Sequence, residues 1–94
     1  MAEEYEYPKI TLKIVSQKGT CTYGHEVGQE FDVSGTTPGG MCPSAFYSAY
    51  PCIMALMVGG SMPWEKDKDT AHIACPDPEN PVVMELIREK SYAK

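Results

Sequence analysis

The chain has 94 residues, with eight basic against thirteen acidic side chains and a formal charge of −5. That length suits one domain, residues 1–94, whose core needs no disulfide staples. The acid excess and the scatter of Lys and Arg argue against nucleic acid as a partner, because phosphate contacts need a basic face. No apolar run reaches membrane-spanning length, so a membrane partner is not expected either.

Residues 1–8 are acidic and rich in tyrosine. They read as a loose arm without the pattern of a signal peptide. The expected location is therefore the cytoplasm, where thiols stay reduced. Four cysteines in so short a chain then point to packing, metal ligation or reactivity ahead of disulfides. Ile10, Leu12 and Ile14 alternate with Thr11, Lys13 and Val15, the pattern of a half-buried strand. A turn around Gly19 follows, then the tight loop of Cys21, Thr22, Tyr23, Gly24 and His25, then a second turn at Gly28. Phe31 and Val33 alternate with Glu30 and Asp32 and predict a second strand, antiparallel to the first.

The longest apolar segment covers residues 41–60 and predicts a helix. Pro43 suits the first helical position, where a missing N–H costs nothing, which makes Cys42 the N-cap. Helical spacing puts Phe46, Ala49, Tyr50, Ile53, Leu56 and Met57 on one face. Pro51 predicts a kink, or two short helices meeting there. Gly59 and Gly60 supply the stop. Met62, Pro63 and Trp64 lie in the polar stretch that follows, and Trp64 is expected to fold back over the core.

Ala71, Ile73 and Cys75 alternate with His72, a third strand with His72 facing away from the helix. Three prolines between 76 and 81 exclude regular structure. Residues 82–89 suit either a helix or a strand, and the adjacent valines with alternating Val82, Met84 and Leu86 favour the strand. The order strand-strand-helix-strand-strand predicts an α+β fold, a small antiparallel sheet with one kinked helix packed on a face.

Several short motifs occur together: Lys18-Gly19-Thr20-Cys21, Gly24-His25 followed by Val27-Gly28 and Glu30-Phe31, Cys42-Pro43 with Ala45-Phe46, Tyr50-Pro51, Pro63-Trp64, and Cys75-Pro76-Asp77-Pro78. As a set they resemble an uncharacterised family of small prokaryotic proteins, over residues 9–89. The resemblance implies a prokaryotic source and places Cys21, His25, Cys42 and Cys75 within the family's pattern, with Cys52 outside it. Gln29 stands where that pattern more usually has an acidic residue. No activity comes with the family, so the resemblance implies a grouping and not a reaction.

The residues themselves suggest one site. Cys21, His25, Cys42 and Cys75 all fall at loops or element ends, and Cys21 and His25 share one tight loop. Three sulfurs and an imidazole match tetrahedral zinc, and the thiolates also fit an iron–sulfur cluster. A metal-binding accessory or binding protein is the leading expectation. Spacing is a weak guide here, since neither C-x-x-C nor paired knuckles occur. A second reading is thiol chemistry at Cys42, where the helix dipole would favour a thiolate and His25 would act as base. A third is an interaction module in which the cysteines only fill the core, while Trp64 and the acidic surface meet a protein partner. Asp67, Asp69, Asp77 and Glu79 lack calcium-loop spacing and read as solvated.

Overall fold

A computed structural model describes residues 6–89. The arm expected over 1–8 therefore lies for the most part outside the described residues. The elements are β1 (Lys9–Gln17), β2 (Glu30–Asp32), α1 (Pro43–Met57), β3 (Thr70–Ala74) and β4 (Val82–Glu89). They make an α+β domain, one four-stranded antiparallel sheet with one helix. The expected element order holds, and 82–89 is a strand. The period of two decides that segment: Val82, Met84 and Leu86 are all buried, as alternation over a half-covered sheet requires.

The strands lie in the order β2-β1-β4-β3. The first and last strands are thus the central pair, in register from Lys9 opposite Glu89 to Gln17 opposite Val82, with one irregularity between Ile14 and Ser16. Ile10, Leu12 and Ile14 from β1 join Val82, Met84 and Leu86 from β4 to line the inner face, and α1 covers it with Ala45, Ala49, Ile53, Leu56 and Met57. The outer face carries a row of charge across all four strands, Glu30, Lys13, Glu85 and His72. One apolar face and one charged face is the usual division in an antiparallel sheet.

One expectation for α1 needs correction, and one of the two alternatives at Pro51 falls away. Pro51 lies inside one uninterrupted helix and does not split it. The hydrogen bond it removes is to the carbonyl of Tyr47, and both residues are exposed, so water can take that carbonyl. Tyr50 is also exposed, and Ala45 takes its place on the buried face. The stop is as expected. Gly59 has φ 92°, Gly60 N–H donates to Ala55 O (2.8 Å) and Gly59 N–H to Leu56 O (3.3 Å). This is the paired bonding of a Schellman motif, which suits glycine because of the positive φ.

Trp64 does not fold over the core; it is 71% exposed. Met62 fills that place, buried with its sulfur 3.7 Å from Cys52 Sγ. The loop around Trp64 is fixed by polar groups instead. Glu65 accepts the outward N–H of His72 (2.9 Å) and so caps the free edge of β3, a position that would otherwise be open to strand pairing.

The C-terminal end of α1 is tied to the sheet by Arg88. Its Nε donates to Asp69 Oδ1 (2.9 Å), one terminal nitrogen to Leu56 O (2.9 Å) and Gly60 O (2.8 Å), the other to Lys68 O (2.9 Å). The ion pair is largely buried. A guanidinium fork satisfies the last helix carbonyls and a carboxylate at once, which lysine cannot do. Arg88→Met is expected to take the guanidinium from Asp69 and one donor from each of three carbonyls, and to lower stability by about 3–5 kcal/mol. Urea unfolding followed by far-UV circular dichroism measures this, and Arg88→Lys should recover only part of the loss.

Candidate functional site

The pairing of β1 with β4 places the chain leaving β1 beside the chain entering β4. Lys18 N–H donates to Pro81 O (3.1 Å), one step beyond the last strand pair. Thr20 N–H then donates to the Asn80 side-chain oxygen (2.9 Å). Gly19 sits between them at φ +72°, and a Cβ there would collide with that same Asn80 oxygen. Glycine is required both for the backbone angle and for the approach.

Asn80 is held in turn by Asp77. The Asp77 carboxylate accepts the N–H groups of Glu79 (3.1 Å) and Asn80 (3.2 Å) and the Asn80 side-chain amide (3.3 Å). The bonds from the Glu79 and Asn80 N–H groups, with a smaller part from the Asn80 side chain, hold the Asp77 carboxyl below its ordinary value. A carboxyl depressed in the fold stabilises above its unfolded pKa, and that is lost as pH falls through the folded one. The turn is thus fully held at neutral pH and is released only below the usual carboxylate range. Asp77, half-buried, therefore works as a turn-forming residue, and Asp69, expected to be solvated with it, is instead buried against Arg88.

These loops bring three of the four expected site residues to one place. Cys21, Cys42 and Cys75 line a single cleft of about 290 Å³, together with Tyr23, Ser44, Asp77 and Asn80. Cys21 comes from the loop after β1, Cys42 from the start of α1, and Cys75 from the end of β3. All four cysteines are free thiols and partly buried. Cys75 is held by its backbone and its side chain, its N–H donating to Val82 O (2.9 Å) and its sulfur accepting from Val82 N–H (3.3 Å). Cys42 is the N-cap of α1, but its sulfur makes no cap hydrogen bond. Cys52 lies away from the cleft. Burial, and then the nearby Glu65 carboxylate, push its thiol above the ordinary value.

His25 has a different place. It is 3% exposed, stacked near Tyr23 and edge-on to Phe31. Its Nε2 accepts the backbone N–H of Cys42 (3.0 Å). An acceptor nitrogen carries no proton, so the proton is on Nδ1, which donates to Gln29 Oε1 (2.8 Å). Gln29 Oε1 also accepts Glu26 N–H (3.2 Å), as a carbonyl oxygen should. Both ring nitrogens are thus engaged. His25 reaches Cys42 through its amide and not its sulfur, and holds the start of α1 to the loop below it. It is a brace, and neither nitrogen is left for a metal or for the proton of the thiol.

Among the described residues, no group of three or more His, Cys, Asp or Glu side chains is placed to hold a metal ion. The zinc or iron–sulfur site expected from Cys21, His25, Cys42 and Cys75 therefore has no assembled ligand set behind it. His72, read as a surface residue, is exposed between Glu65 and Glu85. No helix among the described residues is long and apolar enough to cross a membrane. Comparison with protein-family models, curated proteins and solved structures gives no match.

Asn80 was not singled out from the sequence and Gln29 was noted there without a role; Asn80 joins the two loops of the cleft and Gln29 holds His25. The neutral amide oxygen of Gln29 is enough to fix the His25 tautomer. His25→Phe keeps the ring contacts but leaves Cys42 N–H without its acceptor and Gln29 Oε1 with Glu26 N–H alone. It should cost about 1–3 kcal/mol by urea unfolding, and it should speed alkylation of Cys42 as the helix start loosens. Slower alkylation would mean that His25 activates the thiol.

Proposed function

We propose that this protein is a thiol-based exchange protein whose working site is the cleft of Cys21, Cys42 and Cys75. One observation carries this reading: three cysteines from three distant segments line one small cleft. All four cysteines touch the core, but only these three also line the cleft. The fourth, Cys52, packs elsewhere against Met62.

Cys42 is the attacking thiol. It opens on the cleft from the N-cap of α1, whose first turn has no side-chain cap and no acidic residue. In the first step the Cys42 thiolate attacks one sulfur of a substrate disulfide. A mixed disulfide forms, and the other half of the substrate leaves as a thiolate. In the second step Cys21 or Cys75, deprotonated, attacks the Cys42 sulfur. The second half of the substrate leaves, and an intrachain disulfide remains. Two electrons pass from the protein to the substrate, and the two thiolates released take up the two protons. A dithiol reverses the sequence.

A thiophilic metal is the competing occupant, and zinc is the first to consider. Two observations count against it: no group of three or more His, Cys, Asp or Glu side chains among the described residues, these cysteines included, is placed to hold a metal ion, and both His25 nitrogens are engaged elsewhere. The protein is expected to purify with substoichiometric zinc and iron by elemental analysis, and stoichiometric metal would move the site to metal binding.

The test of exchange uses oxidised glutathione as the disulfide, with released thiol followed over time. Cys42→Ser is expected to slow release by about tenfold or more, while Cys52→Ser leaves it unchanged. The double variant Cys21→Ser with Cys75→Ser should stop at the mixed disulfide, visible as one added glutathione by mass spectrometry. A Cys42→Ser protein that reacts as fast as the unaltered chain would overturn the reading.

A further inference from the structure

The residues of α1 carry no charge at all, from Pro43 through Met57. A helix on one face of a sheet normally turns a charged side to water. Here the outward side instead shows Tyr47, Tyr50, Met54 and Val58, at spacings of three, four and four. Beside its first two turns lies a second and larger hollow of about 580 Å³. Its walls are Pro38 and Met41 from the preceding loop, and Pro43, Phe46, Tyr47 and Pro51 from the helix. We propose that this hollow is a binding site for an uncharged, largely apolar small molecule with an aromatic portion.

The volume is that of a small-molecule site, which typically measures about 300–1,000 Å³. No Asp, Glu, Lys, Arg or His lines it, so a charged ligand would be desolvated without a counter-charge. The polar side chains at hand carry hydroxyls, from Thr37, Ser48 and the two tyrosines. These can orient a neutral donor or acceptor. Three prolines fix the backbone of both walls, so the site is formed in advance and little ordering is needed on binding. A second copy of the chain is the less suitable occupant. A stable protein interface takes about 800 Å² from each partner, while this hollow is confined to one loop and the first half of one helix.

The hollow also shares a wall with the thiol cleft. Met41 and Pro43 line the one, and Cys42 and Ser44 the other. Successive residues at the helix start thus divide two sites, but the binding proposed here does not depend on thiol exchange.

The test uses the neutral fluorophore N-phenyl-1-naphthylamine, titrated into the full chain. Saturable binding at one per chain with a blue shift is expected. Tyr47→Asp and Ser48→Asp each place a charge in the hollow and should weaken binding by about tenfold or more. Tyr47 is 80% exposed, so Tyr47→Asp should keep the thermal midpoint, which is checked on the same sample. The sulfonated analogue 1-anilinonaphthalene-8-sulfonate should bind several-fold more weakly. The proposal is overturned by non-saturating fluorescence, by equal binding of the sulfonate, or by binding that both substitutions leave unchanged. It is also overturned if sedimentation shows a dimer that the neutral fluorophore must dissociate in order to bind.

Discussion

The antiparallel pairing of β1 with β4 is the constraint from which the other features follow. It joins the first strand to the last and puts both in the middle of the sheet. Its apolar side supplies six of the fully buried large side chains: Ile10, Leu12, Ile14, Val82, Met84 and Leu86. Its end at Gln17 and Val82 then dictates which loops can meet. The segment carrying Cys21 leaves from one side of that end and the segment carrying Cys75 enters from the other. A slip of one residue in this register would turn the inner face outward and would also separate the two cysteines.

The loops gathered there have no ladder of their own, so they are held by side chains. Asn80 links the two chains, Asp77 shapes the turn that presents Asn80, and Gly19 leaves room for the contact. The helix is fastened at both ends by a buried nitrogen-bearing side chain. His25 accepts an amide at its start, and Arg88 donates to carbonyls at its end. The two choices match the chemistry of helix termini, which expose donors at one end and acceptors at the other. Between them the apolar face of α1 settles on the sheet, and Cys42 is carried to the cleft as a result.

The strands and the helix could be read from the sequence because periodicity records which side is buried. Ile10, Leu12 and Ile14 are a clear case, and Val82, Met84 and Leu86 a less clear one that alternation still decided. The glycine stop at 59 and 60 was equally legible, since positive φ leaves a mark on composition. Whether Pro51 would divide the helix was left open between two alternatives, because a proline's effect depends on whether the freed carbonyl faces water. Trp64 was misjudged because size alone says nothing about whether Met62 already fills the space. At the site, the three cysteines were recognisable as a group, but the role of His25 was not. Its two hydrogen bonds involve a backbone amide seventeen residues away and a glutamine that no ligand pattern includes. The hollow beside α1 left a signal that went unused: fifteen helical residues without a charge.

What the account most needs is proof that separate parts of the chain deliver thiols to one cleft. Dibromobimane becomes fluorescent when it bridges two thiols, and the bridged peptides can be identified by mass spectrometry. Applied to the reduced, folded chain, it should join two of Cys21, Cys42 and Cys75 and leave Cys52 unbridged. A bridge that includes Cys52, or no bridge at all while the protein remains folded, would contradict the shared cleft and the exchange chemistry built on it.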